Sequence, residues 1–293
     1  MYIKSILLLS FLTITAVSAQ EPDSSSALFQ MRETERNFAR ASIMHGRNSA
    51  FIEYFAEEAV IFTDHWLTNG RQFWKGLNER PVALKWEPEF MDISKSLDFG
   101  ISTGPWEVQE YRPYTAALAT GYFLTVWKKQ SDNKWKVILD AGSESPKMKE
   151  YSHSFSFPRG ADISSSEHNY IVSDAPLKEI KETEAKFLES WKTKPGKPTY
   201  SSFLAPNARI QKNGFSPATT KDSVSLMIAR LPEEMKWSTV GAGVASSGDL
   251  GYSYGLIDIN HSQKAAAGHY VRIWKKQEDG LWKILIEMMS INN

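Results

Sequence analysis

The sequence predicts an α+β protein built from two similar domains. In each half of the chain, apolar residues at helical spacing come first and strand-like segments follow. Helices followed by a run of antiparallel strands are typical of an α+β domain. The stretch TVWKKQSDNKWKVILD, at Thr125–Asp140, also returns as RIWKKQEDGLWKILIE, at Arg272–Glu287. A chain of 293 residues is long enough for two such domains.

The repeat extends well upstream of these two stretches. Four blocks recur in the same order at a nearly constant separation, including T-E-x-x-F, which starts at Thr34 and at Thr183. Trp86 and Trp237 are each followed by an Asp and two Gly at identical spacings. Four collinear matches indicate an internal duplication of about 115 residues. The expected segments are a first domain over 27–142, a linker over 143–176 and a second domain over 177–291.

Each unit begins with helices, and the periodicity predicts their positions. In the first unit, Leu28, Met31 and Phe38 lie on one face of a first helix, and Leu177, Ile180 and Phe187 do so in the second. Further helices are expected at Ser49–Glu57, Arg71–Leu77, Thr199–Leu204 and Lys221–Arg230, with short strands at Val60–Thr63 and Arg209–Gln211.

The remainder of each unit is predicted to be β-structure. In the first unit the expected strands are Leu84–Ile93, Leu97–Val108, Ala117–Lys129 and Lys134–Ala141. The last two strands are joined by SDN in the first unit and by EDG in the second, which supply the turn residues that a hairpin needs.

The N-terminus predicts a secretory signal peptide. Lys4 precedes an apolar stretch over 6–17 that is too short to span a bilayer, and Ala19 ends a small-residue cleavage site. We therefore expect residues 1–19 to be removed and the protein to be secreted or periplasmic. No later segment is apolar enough to predict an integral membrane segment after cleavage.

Composition and motif content argue against several classes of function. Lys plus Arg equals Asp plus Glu at 34 each, without a polybasic run, which argues against nucleic-acid binding. The six His show no metal-ligand spacing and there is no Cys, so no metal site is predicted. No phosphate-binding loop follows a strand, and no cofactor is expected.

The order of elements and four motifs resemble the SnoaL-like/DUF4440 branch of the NTF2-like superfamily. The motifs are T-E-x-x-F, Y-F-A-x-x-A-V-x-F, S-x-D-x-G-x-x-x-G and the closing V-W-K-K-Q-x-D-x-x-W-K-V. The resemblance implies two cone-shaped domains, each a curved antiparallel sheet wrapped around about three helices with an apolar cavity at its open end. The superfamily includes isomerases, dehydratases, polyketide cyclases and non-catalytic members, so the fold does not assign an activity.

A carboxylate lies on the apolar face of the first helix in both units. Glu35 and Glu184 each lie three residues before a Phe of that face, where a charge is costly unless it has a partner. The favoured interpretation is a structural Glu bonded to backbone amides of a neighbouring segment. The alternative is a binding-pocket carboxylate with a raised pKa that acts as a base.

Two further regions supply candidate catalytic residues. Asp64 and His65, followed by Trp66, come after the first strand and could sit at the cavity mouth, where they would suit proton transfer. A turn capped by Asp64 explains the same residues equally well. The second unit has Asn213 in place of Asp64. Asp140 and Glu287 end the last strand of each unit, either as pocket acids or as exposed strand ends.

Strand alternation adds further candidates for pocket residues. Tyr122 in the first unit corresponds to His269 in the second, and Trp106 and Tyr111 could line the first cavity.

Three functions follow from these features. The leading one is binding of a small apolar or amphipathic molecule in the first cone. The second is a cofactor-free isomerase, dehydratase or hydrolase that uses Asp64, His65 and Asp140. The third is a scaffold in which the two units pack sheet-to-sheet as an intramolecular pseudo-dimer.

Overall fold

The computed structural model describes residues 23, 25–63, 66–111, 116–146, 155–158, 170, 173–261 and 264–292. The helices are α1 (Ala27–Met44), α2 (Arg47–Tyr54), α3 (Gly70–Gly76), α4 (Ala175–Thr193), α5 (Lys197–Phe203) and α6 (Lys221–Ile228). The strands of the first unit are β1 (Phe55–Thr63), β2 (Trp66–Asn69), β3 (Val82–Trp86), β4 (Phe90–Ile93), β5 (Phe99–Glu110), β6 (Ala119–Lys129) and β7 (Trp135–Glu144). Those of the second are β8 (Leu204–Lys212), β9 (Met235–Val244), β10 (Leu250–His261), β11 (Lys264–Lys276) and β12 (Trp282–Asn292).

Side-chain caps fix the start of several helices. The Ser26 hydroxyl accepts from the Phe29 amide at 3.1 Å at the start of α1, and the Asn69 carbonyl oxygen accepts from the Gln72 amide at 2.9 Å at the start of α3. Thr220 begins α6 with a capping box that it shares with Ser223. These caps satisfy amides that the first turn of a helix leaves without an intrahelical partner.

The predicted α+β fold is confirmed, with one refinement of the sheets. In the first sheet the strand order is β2-β1-β7-β6-β5-β3, with β4 also on β5, and in the second it is β8-β12-β11-β10-β9. The pairs are antiparallel except that β1 runs parallel to β7 and β8 runs parallel to β12. Each antiparallel sheet thus also contains one parallel pair, between two strands that are far apart in the sequence and are not joined by a hairpin.

A glycine at the same place in each unit lets two strands approach closely. A Cβ on Gly104 would lie 2.0 Å from the Glu87 carbonyl oxygen, and one on Gly255 would lie 2.0 Å from the Ser238 carbonyl oxygen. The pairing of β9 with β10 shifts register next to Gly255, and the first unit interrupts its edge between β3 and β4 at the same point. Such irregularities bend a sheet and help it to wrap around its helices.

The two sheets pack against each other through their outer faces. Their apolar side chains form one cluster that includes Ile101 and Val126 from the first sheet and Val271 and Ile286 from the second. At the edge of this cluster, the turns between β4 and β5 and between β9 and β10 meet reciprocally. Each of Ser96 and Ser247 accepts at its hydroxyl from the other's amide at 3.1 Å. This exchange of equivalent bonds is the contact expected of a two-fold axis, here within one chain.

The segment between the units is partly packed onto the first unit. β7 runs to Glu144, two residues beyond the expected end of the first domain, and α4 begins at Ala175. Phe155 is buried beneath the Arg32 guanidinium, which lies 4.0 Å from the ring centroid, and Ser156 pairs with Phe90. In the part of the chain that the structure describes, no helix is long and apolar enough to cross a membrane.

Candidate functional site

A cavity of about 250 Å³ lies in the first unit, between the helices and the inner face of the sheet. Six aromatic side chains line it: Phe38, Phe51, Trp74, Trp86, Trp106 and Phe123. Leu84, Val108, Ala141 and Gly142 add to the apolar wall. Its polar groups are Glu35, Thr125 and Asp140. An apolar pocket with a few convergent polar groups is the usual form of a small-molecule site.

Glu35 is completely buried on α1 and accepts several hydrogen bonds from side chains. One carboxylate oxygen accepts from Trp86 Nε1 at 2.6 Å, and the other accepts from Ser102 Oγ at 2.5 Å and from Trp127 Nε1 at 3.0 Å. Burial raises the pKa of Glu35, and these donors partly oppose that effect. The expected partners were backbone amides, but the donors are indole and hydroxyl groups of the surrounding strands.

Asp140 is half-buried on β7, with its carboxyl group at the cavity. One of its oxygens accepts from Thr125 Oγ1 at 2.8 Å. Its apolar surroundings raise its pKa to about 7, an effect that the bond from Thr125 opposes and the nearby Glu35 reinforces. A carboxyl group with this pKa exchanges its proton near neutral pH and can hold or release it toward a bound molecule.

The corresponding place in the second unit contains an arginine. Arg272 on β11 occupies the position that Thr125 has on β6, two residues before the shared W-K-K-Q motif. Its guanidinium donates to Glu287 at 2.6 Å and also to Glu184. Burial lowers the pKa of Arg272, but the two carboxylates outweigh it and raise that pKa above its ordinary value. The Tyr200 hydroxyl also donates to Glu287. Glu184 and Glu287 correspond to Glu35 and Asp140.

Aromatic rings enclose the Arg272 guanidinium. Its central carbon lies 3.9 Å from the Phe187 ring centroid, and 4.4 Å from those of Trp237 and Tyr270. Arg272 and both of its carboxylate partners are completely or almost completely buried. The second unit therefore fills the centre of its cone with a ring-enclosed cluster of one guanidinium and two carboxyl groups.

The structure places the predicted site residues in several different regions. Asp64 and His65 lie outside the described residues. Trp66 is 73% exposed and Tyr111 is 51% exposed, so neither lines the cavity. Trp106 lines it, as do Glu35 and Asp140.

Tyr122 and His269 were expected to line pockets, but they lie on the opposite face of their strands. Both are buried on the side where the units meet, and the His269 ring stacks on Phe62 at 4.1 Å between centroids. Asn213 also joins the units, because its side-chain oxygen Oδ1 accepts from the Glu144 backbone amide at 2.9 Å. Alternation identified the two faces of each strand but not which of them faces the helices.

Sequence reasoning missed Thr125, Arg272 and the aromatic residues that surround them. The available signal was a difference between the two copies of the motif, TVWKK and RIWKK. Its first position is Thr125 in one copy and Arg272 in the other, and each lies on the same face of its strand as the Trp two residues later. Among the described residues, no group of three or more His, Asp or Glu side chains is arranged to hold a metal ion.

Solved structures with a similar fold each match one part of this chain. A ketosteroid isomerase-like protein from Erwinia carotovora atroseptica is 14% identical, with 41% of this chain and 99% of that chain covered and a TM-score of 0.36. An NTF-2 like protein from Shewanella oneidensis MR-1 is 14% identical, with 39% and 98% covered and a TM-score of 0.33. A protein from Catenulispora acidiphila in complex with S-DNPA is 10% identical, with 41% and 95% covered and a TM-score of 0.34. No family model and no curated protein matches the chain.

Proposed function

We propose that the first unit binds a small, mainly apolar molecule that carries one polar group. The observation that supports this most is the aromatic-lined cavity of about 250 Å³ with the Asp140 carboxyl group at its wall. An engineered apolar cavity of about 150 Å³ binds benzene, so this cavity has room for a single ring with a substituent. The ring would be held by the aromatic walls and oriented by a hydrogen bond to Asp140.

A matched pair of variants tests the proposal. Val108→Trp places an indole into the cavity, whereas Val240→Trp makes the same change at a strand valine of the second unit that is 53% exposed. We expect p-cresol and indole to bind the unaltered protein and V240W in calorimetric titrations, and to lose most of their affinity for V108W. Mass spectrometry of molecules released from the purified mature protein would show what the cavity carries.

Two results would contradict the proposal. One is equal binding of both probes by V108W and V240W, which would place the binding elsewhere. The other is the lack of binding of either probe together with a crystal structure in which the protein's own side chains fill the cavity.

The pKa of Asp140 supports a second candidate function, a cofactor-free enzyme in which this carboxyl group moves a proton. A base with a pKa of about 7 is well matched to neutral conditions. Acetophenone, a single-ring ketone, is a suitable probe, because a base in the cavity would exchange its methyl protons for deuterium in D₂O. We expect the protein to accelerate this exchange and Asp140→Asn to remove the acceleration. Equal rates with both proteins would reject this candidate.

We further propose that the chain is a tandem SnoaL-like/DUF4440 protein that is exported from the cytoplasm. The support is the motif repeat and the N-terminal pattern ending at Ala19. The intact mass of protein recovered from the periplasm or medium of an expressing cell is expected to match a chain that begins at Gln20. A full-length chain retained in the cytoplasm would contradict the proposal.

A further inference from the structure

The second unit holds a cation of its own at the place where the first unit has its cavity. The Arg272 guanidinium lies between Glu184 and Glu287 and against the rings of Phe187, Trp237 and Tyr270. Carboxylates and aromatic faces are the groups that bind planar organic cations in proteins. The centre of the second unit is thus a guanidinium site whose occupant is tethered to β11. Two of the three guanidinium nitrogens donate to the carboxylates, and Nη2 has no hydrogen-bond partner among the described residues.

The groups that surround this guanidinium have counterparts in the first unit. By the internal repeat, the counterparts of the two carboxylates and three rings are Glu35, Asp140, Phe38, Trp86 and Phe123. All five line the cavity. The first unit therefore keeps two carboxyl groups and three rings, with Asp140 in place of Glu287 and Phe123 in place of Tyr270. In place of the cation it has the short side chain of Thr125.

We propose that the first unit binds from solution what the second unit carries covalently, a guanidinium or similar planar organic cation attached to an apolar body. This inference rests on the proposed function, since it names the ligand class for the same cavity. Asp140 would pair with the cation directly, as Glu287 does with Arg272. Glu35, whose oxygens already accept three donors, also lines the cavity.

The titratable residues of the cavity also favour a cationic ligand. Glu35 and Asp140 are the titratable side chains among the residues that line it, and no Lys or Arg is among them. The apolar surroundings that raise the pKa of Asp140 to about 7 would be offset by a bound cation, which favours the charged form. Cation affinity should therefore increase as the pH rises through about 7 and level off above it.

A pair of matched probes separates a cation from a neutral molecule of the same shape. Benzylguanidine is positively charged across the neutral range, and benzylurea replaces one nitrogen with oxygen and is neutral. At about pH 8 we expect calorimetry to show benzylguanidine binding at least about tenfold more tightly than benzylurea. At about pH 5, where Asp140 is protonated, the ratio should approach one.

Two variants test the site itself. Asp140→Asn should weaken the binding of benzylguanidine at least about tenfold and change that of benzylurea by less than about threefold. Asp132→Asn, at the exposed turn between β6 and β7, should change neither.

Thr125→Arg should exclude benzylguanidine by placing in the first unit the side chain that fills the second. Thr193→Arg, at the exposed end of α4, is its control. Circular dichroism would establish that each variant is folded.

The outcomes distinguish the cation inference from the proposed function. Equal affinity for the two probes at about pH 8, or unchanged benzylguanidine binding in D140N, would overturn the cation inference and leave the proposed function standing. Binding of p-cresol or indole without benzylguanidine would do the same. The lack of binding of all four probes would overturn the cation inference. Together with a crystal structure in which the protein's own side chains fill the cavity, it would overturn the proposed function as well.

Discussion

The two units place a pair of carboxyl groups at the same two positions and surround them differently. In the second unit Arg272 donates to both Glu184 and Glu287 and fills the space between them. In the first unit Thr125 stands at the position of Arg272 and bonds Asp140 alone. The shorter side chain leaves a cavity, and the absence of a cation from its lining leaves the carboxyl group in apolar surroundings with a raised pKa.

This difference places a carboxyl group in two different environments on the same scaffold. A carboxylate that is paired and enclosed contributes to a specific core, whereas one that faces a cavity without a cation is costly to folding and available to a ligand. We therefore expect removal of the charged group at the centre to destabilise the protein in the second unit and to stabilise it in the first. The four predictions below test this contrast, beginning with the largest expected effect.

Removal of the cation from the second unit should destabilise the protein strongly. Arg272→Met leaves Glu184 and Glu287 buried without their partner, which we expect to cost about 3–5 kcal/mol in urea unfolding. Lys192→Met removes an exposed pair with Glu189 on α4 and should cost less than about 1 kcal/mol. A loss for R272M no larger than that for K192M would show that the cluster does not hold the second core together.

Removal of the Asp140 carboxyl group from the first unit should stabilise the protein, which is opposite to the effect expected of R272M. Between about pH 4 and about pH 7 the folded state retains the Asp140 proton that the unfolded chain has released, so stability falls as the pH rises through this window. Asp140→Asn should therefore stabilise the protein by about 1–3 kcal/mol at about pH 8, with an advantage that shrinks toward about pH 4. A destabilised D140N at about pH 8 would mean that the ionised carboxyl group is favoured by the fold.

The equivalent tryptophans Trp86 and Trp237 should differ in what they contribute. Trp86 Nε1 donates to Glu35 at 2.6 Å, whereas Trp237 Nε1 has no hydrogen-bond partner among the described residues. We expect Trp86→Phe to cost about 1–3 kcal/mol and Trp237→Phe less than about 1 kcal/mol, as measured by denaturant unfolding. Equal costs would indicate that ring packing and not the bond to Glu35 dominates at both positions.

The smallest effect on stability is expected at the contact between the two equivalent turns, where the units meet. Ser96 and Ser247 exchange amide-to-hydroxyl bonds at 3.1 Å, and each also donates to the nearby Asp of its own turn at 2.5 Å. Replacing either with Ala should cost about 0.5–1.5 kcal/mol, by nearly equal amounts. The double variant should cost less than the sum, because the two side chains share a hydroxyl–hydroxyl contact at 2.9 Å. Strongly unequal single costs would argue against a two-fold contact.

Much of the fold could be predicted because the same pattern of motifs occurs twice in the chain. Periodicity located α1 and α4, and the expected bounds of β6 and β7 agree with the structure within a few residues. The repeated hairpin motif indicated their counterparts β11 and β12. The prediction failed at details that depend on the neighbouring strand, such as the division of Leu84–Ile93 into β3 and β4 and the parallel pairing of β1 with β7. A strand's own residues do not specify the direction of the strand it pairs with.

The candidate site could be predicted only in part. Glu35 was identified because a carboxylate on an apolar helical face is unusual, and Asp140 because both units keep an acid there. Tyr122 and His269 were placed on the wrong side, because alternation divides a strand into two faces without saying which one is covered by helices and which by the other sheet. In this chain both faces are buried, so hydrophobicity does not separate them.

The sequence by itself determined the class of fold, the repeated motifs, and the positions at which the two copies of those motifs differ. Those properties follow from local periodicity and from matching residues along the chain. The tertiary structure decided that Thr125 and Arg272 lie between two carboxyl groups and several rings that are distant in sequence. It therefore also decided that one cone has a cavity while the other is filled by its own arginine. The physical reason is that the cavity is defined by groups from α1, α2, α3, β3, β5, β6 and β7 together, whose relative placement no single segment encodes.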